Sequence, residues 1–150
     1  MALSIRIHSG SISLVNHKKR VALVNTPRMC HKESVDSIIL TDSHFENTLG
    51  LLDLHGPLNL FMTEDVSLQL KECHLLPLLQ KKNRHVRVTP IELNRCFFPL
   101  DGFQVEAVQE NGLMINNTVV YSPVHETITF ITGTKRVYHA PVNNEMEIYI

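Results

Sequence analysis

Residues 38 to 52 carry most of the structural information in this chain, and they read Ile38-Ile39-Leu40-Thr41-Asp42-Ser43-His44-Phe45-Glu46-Asn47-Thr48-Leu49-Gly50-Leu51-Leu52. The dense apolar run at the start, which continues a segment from residue 35, predicts a strand buried on both faces. A mostly polar segment follows directly, and residues 48–54 then predict a short helix. Several potential ligands therefore follow the carboxyl end of a buried strand.

The polar segment after Leu40 contains side chains that bind metals in proteins. In an extended segment alternate side chains lie on one side, so Asp42, His44 and Glu46 would be about 7 Å apart in successive steps. Carboxylates and a neutral imidazole are ligands for divalent ions. Such clusters also cap helices and face solvent, so the spacing by itself leaves both interpretations open.

The rest of the chain predicts strands, then helices, then strands. Residues 4–7, 11–15, 21–24 and 57–63 predict short strands, and residues 64–80 have helical spacing, with Thr63 as the N-cap and Pro77 as a kink or division. Later strands are predicted over residues 86–93, 103–108, 113–121, 127–131, 136–139 and 146–150, with turns at Asp101-Gly102, Asn111-Gly112 and Thr132-Gly133. This order predicts an α+β layered domain.

Length and charge limit the classes of protein that the chain can represent. It has 150 residues and a formal net charge of -1, and we expect a single domain over residues 1–150. The balanced charge gives no broad basic field, so nucleic acid is not an expected partner. The basic run His17-Lys18-Lys19-Arg20 predicts a solvated hairpin turn rather than a phosphate-binding patch. No stretch approaches the about 20 apolar residues of a membrane span, so no membrane partner is expected.

The cysteines and the N-terminal residues bear on the compartment. Cys30, Cys73 and Cys96 are widely separated and form neither a CxxC pair nor a disulfide framework. No long apolar segment follows Met1, and a reduced, cytoplasmic compartment is expected. We interpret Cys73 and Cys96 as buried, small hydrophobic residues.

Two segments resemble a known family. Residues 40–52 resemble the metal-binding turn of the metallo-β-lactamase superfamily, Thr-His-x-His-x-Asp-His. They are closer to the coenzyme PQQ synthesis protein B branch, whose turn reads approximately Leu-Thr-Asp-x-Gln-x-Asp-His-Thr-x-Gly-Leu-Leu. The residues that match this branch are Thr41, Asp42, Thr48, Gly50, Leu51 and Leu52. Residues 119–125 resemble the segment that supplies a later metal histidine, and residues 133–141 resemble the branch's Gly-Lys-Arg-Leu-x-Tyr-Ala-Pro stretch.

The resemblance implies a metal site with altered ligands. Asp42 stands in the position of the first histidine, as it does in that branch, and His44 keeps the second histidine. Glu46 replaces the aspartate, and His125 is the later histidine. Asn47 stands where the family has another histidine and is a poor ligand for zinc or iron. The implied metal ligands are therefore Asp42, His44, Glu46 and His125.

Several parts of the family pattern are missing from this sequence. There is no N-terminal cysteine motif, no bridging aspartate near Pro141, and no C-terminal portion with the last metal histidine. The resemblance thus predicts a shortened metallo-β-lactamase-like sandwich. Without the C-terminal helices one sheet face would be unburied, so we expect a homodimer or a partner subunit to cover it.

Two functions follow from this pattern. The first is a degenerate domain, non-catalytic or weakly metal-binding, that acts as a scaffold or assembly subunit. The alternative is a mononuclear metal-dependent hydrolase, or an iron hydroxylase as in the PQQ branch, with His44, His125 and Glu46 around iron(II). One zinc or iron ion is the expected cofactor of the alternative, and the degenerate domain needs none.

Overall fold

The computed structural model describes residues 3–8, 11–26, 35–48, 50–132, 135–141 and 146–150. The strands are β1 (Ser4–His8), β2 (Ser11–Val15), β3 (Val21–Val24), β4 (Val35–Ile39), β5 (Leu58–Met62), β6 (Val86–Pro90), β7 (Cys96–Leu100), β8 (Phe103–Ala107), β9 (Leu113–Ile115), β10 (Val119–Ser122), β11 (Thr127–Thr132), β12 (Lys135–Pro141) and β13 (Met146–Tyr149). The helices are α1 (Phe45–Thr48), α2 (Glu64–Glu72) and α3 (Leu75–Lys82), and single 3₁₀ turns cover Leu51–Asp53 and Gln109–Asn111.

The strands form two mixed or antiparallel sheets with few helices. Sheet A has the order β13-β1-β2-β3-β4-β5-β6, and sheet B has the order β12-β11-β10-β9-β8-β7. Sheet B is antiparallel throughout, whereas β3, β4, β5 and β6 of sheet A run parallel to one another. All four parallel strands therefore begin at one edge of sheet A, the amino edge, and end at the opposite one, the carboxyl edge.

Each face of sheet A packs into its own hydrophobic cluster. On one face Leu23, Ile38 and Leu60 pack with residues of the two longer helices, such as Leu70 and Leu79. The other face packs against the inward side chains of sheet B. Alternate residues of the strands thus point into different clusters, which explains why the parallel strands have nearly continuous apolar sequences. The layers are helices, sheet A and sheet B, in agreement with the α+β expectation.

The predicted helix over residues 64–80 is two helices in the structure. The N-cap prediction is confirmed, since Thr63 Oγ1 accepts a hydrogen bond from the backbone N–H of Val66 at 3.4 Å. The break comes at His74, whose φ is 66°, three residues before the proline that was expected to cause it. The break places Pro77 in the first turn of α3, where its missing N–H and its ring do not disturb a helical hydrogen bond.

Two expectations about the later strands need correction. Residues 113–121 do not form one strand, because Asn116 and Asn117 have positive φ and turn the chain between β9 and β10. The strand β7 was not expected, since its apolar residues Phe97 and Leu100 do not alternate regularly, and its pairing with β8 shifts register between them. The turn predicted at Thr132-Gly133 lies outside the described residues.

Three smaller expectations have clear outcomes. The basic run forms a hairpin turn, in which the N–H of Lys19 donates to the carbonyl of Asn16 at 2.9 Å, and its side chains are exposed. Cys73 and Cys96 are both exposed rather than buried, so their interpretation as core residues was wrong. Within the described ranges, no helix is long and apolar enough to cross a membrane.

Candidate functional site

The polar turn after β4 is organised by the carboxylate of Asp42. One oxygen, Oδ1, accepts a hydrogen bond from the backbone N–H of His44 at 3.0 Å. This local bond turns the chain out of the extended conformation, and α1 begins at Phe45. The buried strand and the polar turn are present as predicted, but the helix is not where it was expected: α1 begins inside the predicted polar segment, and the predicted helix over residues 48–54 contains in its described part the end of α1 and the 3₁₀ turn Leu51–Asp53. The expected alternation of side chains ends before Glu46, because that residue lies in the helix.

The side chain of Asn47 donates hydrogen bonds to both oxygens of the Asp42 carboxylate. Its Nδ2 donates to Oδ1 of Asp42 at 2.9 Å and to Oδ2 at 3.0 Å. The side chain of Asp42 is only 16% exposed, so these bonds replace most of its hydration. Asp42 is thus a hydrogen-bond acceptor for donors on its own turn.

The structure brings together only some of the predicted ligands. Nδ1 of His44 lies 3.8 Å from Oδ2 of Asp42, and the His44 side chain is 70% exposed. Glu46 and His125 are also exposed, and the backbone N–H of His125 donates to Ser122 Oγ at 3.4 Å. Among the described residues, which include all four predicted ligands, no group of three or more His, Cys, Asp or Glu side chains could hold a metal ion. The four-ligand site stays a prediction.

A buried polar pair beside Asp42 joins the ends of β3 and β4. Asn25 Nδ2 donates to Oγ1 of Thr41 at 2.8 Å, and the Thr41 N–H donates to Asn25 Oδ1 at 2.9 Å. Both residues are buried, and Asn25 has a φ of 62°, a left-handed conformation that asparagine tolerates better than most residues. The pair satisfies polar groups that would otherwise be unpaired at the carboxyl edge.

Backbone hydrogen bonds attach α1 to the same edge. The N–H of Thr26 donates to the carbonyl of Asn47 at 2.7 Å, and the N–H of Gly50 donates to the carbonyl of Thr26 at 2.8 Å. Thr26 is fully buried. The residue after β3 therefore fixes where the polar turn ends, independently of the side chains around Asp42.

Tyr121 connects sheet B to the polar residues around Asn25 and Asp42. It lies in β10, is only 8% exposed, and its phenol hydrogen-bonds to the side chain of Asn25. The pKa of Tyr121 is raised to about 12, mainly by burial and in addition by the negative charges of Asp42 and Glu126, while the bond from Asn25 opposes the rise. The phenol is thus held neutral next to two carboxylates, and it can donate a proton in a hydrogen bond but is a poor base or anionic ligand.

A cavity of about 460 Å³ opens beside the turn. Its apolar wall includes Ile39, Val66 and Ile91, and it lies between the carboxyl edge of sheet A, the start of α2 and residues 107–113 of sheet B. Asp42 and two other carboxylates, Asp65 and Glu110, line it, and no lysine, arginine or histidine does among the described residues. The network around Asp42 therefore forms one wall of a cleft between the sheets.

The sequence interpretation missed the polar network around Asp42. Asn47 was considered only as a lost ligand, and Asn25 and Tyr121 were not considered at all. A weak signal for Asn25 was present, because a polar residue directly after a buried strand must find hydrogen bonds at the strand's end. Tyr121 gave no such signal, since its partners are far away in sequence.

Comparisons with known proteins give a likeness of fold. No protein-family model matches the chain, and a search of curated proteins gives no match. Among solved structures, the 1.98-angstrom crystal structure of Zn(2+)-bound PqqB from Methylobacterium extorquens matches with a TM-score of 0.62 and 22% sequence identity. The match covers 75% of this chain and 48% of that one, so the chain spans about half the length of PqqB. The fold is therefore similar to that of PqqB, in agreement with the predicted metallo-β-lactamase-like fold.

Proposed function

We propose that this chain is a degenerate metallo-β-lactamase-like domain that is non-catalytic, binds metal weakly or not at all, and acts as a scaffold or assembly subunit. The observation that carries the proposal is the double hydrogen bond from the Asn47 amide to the carboxylate of Asp42. At this position in the family a histidine would bind a metal. Asn47 instead donates hydrogen bonds to the carboxylate of Asp42, the neighbouring predicted ligand.

The donor set at the turn does not fit a tightly bound metal ion. Three hydrogen bonds already take up most of the about four acceptor sites of the Asp42 carboxylate, two from Asn47 and one from the backbone of His44, so a metal would compete with them or be limited to the remaining site on Oδ2. His44 and Glu46 are exposed, so holding them around an ion would cost side-chain entropy. These terms all oppose binding, and they support a turn that keeps its shape without metal.

The alternative function, a mononuclear metal-dependent hydrolase or an iron hydroxylase, rests on two observations. The solved PqqB structure is Zn(2+)-bound, and His44 lies beside Asp42 as two ligands of one ion would. In this alternative Asp42, His44, Glu46 and His125 would hold the ion, which would supply an activated water or an oxygen-binding centre.

Metal-dependent stabilisation separates the two functions. A ligand that binds only the native state raises the melting temperature, and the stabilisation grows with the logarithm of the ratio of ligand concentration to Kd. We expect the protein to purify without stoichiometric zinc or iron, and its melting temperature to be unchanged when zinc, iron(II) or manganese is added in excess. Elemental analysis and differential scanning fluorimetry measure these two quantities.

A gain-of-function variant gives the matched comparison. Glu46→Asp combined with Asn47→His restores the two family ligands and removes the amide that occupies Asp42, so zinc should now raise the melting temperature by several degrees. Asn47→Ala removes the same amide without adding a ligand and should respond less. Stoichiometric metal in the wild-type protein, or a zinc response equal to that of the restored variant, would overturn the proposal in favour of the alternative.

The assembly role is argued from the outer face of sheet B, which is the face that points away from sheet A. Among the described residues no helix packs on this face, and Met114 and Val120 on it are half-buried, while Phe98 at the edge strand β7 is 68% exposed. A second copy or a partner subunit would cover these side chains. The mass in solution, measured by light scattering with and without Val120→Lys, tests self-association, because a lysine there would lower the mass of a dimer that uses this face.

A further inference from the structure

A carboxylate stands in the middle of the outer face of sheet B. Glu106 lies on β8, where its two chain neighbours Val105 and Ala107 point into the hydrophobic cluster between the sheets. Directly paired residues of an antiparallel sheet point to the same side, so Glu106 shares the outer face with Cys96 on one side and with Met114 on the other. The carboxylate is therefore set between side chains that carry no charge.

The row of side chains through Glu106 continues across the sheet. Met114 is paired with Val120, and Val120 with Thr129, so the row reaches from β7 to β11 and is about 19 Å long at the usual spacing of strands. Glu106, Met114 and Val120 are half-buried, whereas Phe98 at the edge is 68% exposed and lines a depression of about 510 Å³. The face thus offers apolar contact area on both sides of one carboxylate.

Glu106 has no cationic partner in the part of the chain that the structure describes. Its carboxylate makes no ion pair or hydrogen bond there, and Arg95, which precedes β7, is paired at 3.0 Å with Glu92 instead. The other described side chains on this face are all uncharged, and they are Cys96, Phe98, Gln104, Met114, Val120, Ser122, Thr127 and Thr129. An uncharged surface that covered the face would remove water from Glu106 without compensation. A complementary cover therefore brings a positive group to this position.

The same charge argues against a second copy of the chain as the cover. In a two-fold dimer the same patch faces itself, so each Glu106 would lie against a surface whose described side chains are uncharged or acidic. Two carboxylates brought together in a poorly hydrated interface repel each other. A different protein that presents lysine or arginine has the complementary charge.

The layers of the molecule indicate the shape of that protein's contact segment. The outer face of sheet A is covered by α2 and α3, whose residues Leu70 and Leu79 pack with the strands. A strand added to sheet B would bond to its edge and would leave the row from Cys96 to Thr129 uncovered. A helix laid on the face would cover this row, and about thirteen residues of helix have the length of the row.

We propose that the outer face of sheet B binds an amphipathic helix of a different protein, with a lysine or arginine within its apolar stripe that pairs with Glu106. This inference rests on the proposed function, because it names the partner chemistry of an assembly domain. The ion pair sets the register of the helix on the face, while contacts with Met114, Val120 and Phe98 supply apolar burial.

The probe is a fluorescently labelled peptide of about eighteen residues, long enough to form a helix over the whole row. It has leucines at the spacing of one helix face, alanine and glutamine elsewhere, and one arginine at the centre of the leucine stripe. Fluorescence anisotropy should show saturable binding to the whole protein. The same peptide with glutamine in place of the arginine should bind about tenfold more weakly.

A double-mutant cycle assigns that difference to Glu106. Glu106→Gln should weaken binding of the arginine peptide by about tenfold, whereas the glutamine peptide should lose no affinity for this variant. Glu72→Gln removes the same charge from an exposed position of α2, beyond the opposite face of sheet A, and should leave both affinities unchanged. A thermal melt of each variant checks that it is folded.

The apolar contact has its own matched pair. Phe98→Ala should weaken binding of both peptides several-fold, because the exposed ring lies at the end of the face. Leu78→Ala removes an exposed apolar side chain from α3, which is 51% exposed and lies on the other side of sheet A, and should have no effect on binding.

Each outcome decides the inference. No saturable binding, equal affinity of the two peptides for the wild-type protein, or equal effects of Glu106→Gln and Glu72→Gln would overturn it. A dimer in light scattering that Val120→Lys dissociates would overturn it in favour of a second copy. None of these measurements involves metal, so failure here leaves the metal-free turn of the proposed function in place, and stoichiometric zinc would leave the peptide result in place.

Discussion

The two edges of the same four parallel strands satisfy their polar residues in opposite ways. At the carboxyl edge Asn25, Thr41 and Asp42 are shielded from water and bonded to one another or to neighbouring donors. At the amino edge Lys18 and Arg87 are exposed and have no charged partner among the described residues. The hydrogen bonds at the carboxyl edge fix its geometry, whereas the charged side chains at the amino edge remain hydrated.

The largest effect is expected from Asn25→Ala. The change removes both hydrogen bonds to Thr41 and the one to Tyr121, leaves a buried N–H without an acceptor, and places alanine at a φ of 62°. We expect a loss of about 3–4 kcal/mol in the free energy of unfolding, measured by urea denaturation.

Asn94→Ala is the control for the backbone contribution. Asn94 also has a positive φ, 63°, but its side chain is exposed and makes no hydrogen bond within the described residues. It should lose only about 1 kcal/mol. Equal losses at the two positions would mean that backbone conformation, rather than the bonded network, accounts for the effect at the carboxyl edge.

The second effect is a dependence of stability on alkaline pH. The pKa of Tyr121 is about 12 in the folded protein and about 10 when unfolded, so the unfolded state ionises first. The stabilisation by the neutral phenol is complete below pH 10 and is lost as pH rises towards 12, by about 1 kcal/mol per pH unit. Urea denaturation at pH 9 and pH 11 should show this loss.

Tyr121→Phe isolates that contribution from other groups that titrate in the same range. The variant should lose less stability than the wild type between the two pH values, and the phenol with a pKa of about 12 should be missing from a 295 nm titration. If both proteins lose the same free energy, the phenol is not held neutral by the carboxyl edge.

A smaller effect is expected from Asn47→Ala at neutral pH. The Asp42 carboxylate would keep its bond from the His44 backbone but lose both bonds from the amide, at a cost of about 1–2 kcal/mol. Asn59→Ala, at an exposed position with no side-chain bond among the described residues, should change stability by less than about 0.5 kcal/mol. A neutral result at Asn47 would remove the observation on which the proposed function depends.

The smallest effect is expected at the amino edge. Lys18→Gln combined with Arg87→Gln removes two exposed charges and should change the free energy of unfolding by less than about 0.5 kcal/mol, with a slight gain at low salt from reduced repulsion. Thermal melts at two salt concentrations measure it. A loss comparable to that of Asn47→Ala would show that these side chains stabilise the fold, contrary to the contrast between the two edges.

Residues 38–52 show how far the sequence could predict the site. The buried strand and the polar turn were predicted, because apolar runs and local capping residues act over a few positions, whereas the helix begins earlier than the predicted range of residues 48–54. The common side of Asp42, His44 and Glu46 was wrong, because the same Asp42 side chain that was interpreted as a ligand bends the chain into α1. The spacing of polar residues does not decide whether a side chain such as Asp42 binds a metal or hydrogen-bonds to the backbone of its own turn.

The sequence by itself determined the broad succession of strands, helices and strands, most strand positions and the N-cap at Thr63, and it carries the resemblance to the metallo-β-lactamase turn. These depend on periodicity and on contacts between near neighbours in the chain. Only the tertiary structure decided that Tyr121 meets Asn25 and Asp42, and that residues 18–20 meet residues 81–87 at one edge. Both meetings depend on which strands pair and in which direction, and that is fixed by the burial of whole sheet faces rather than by any short segment.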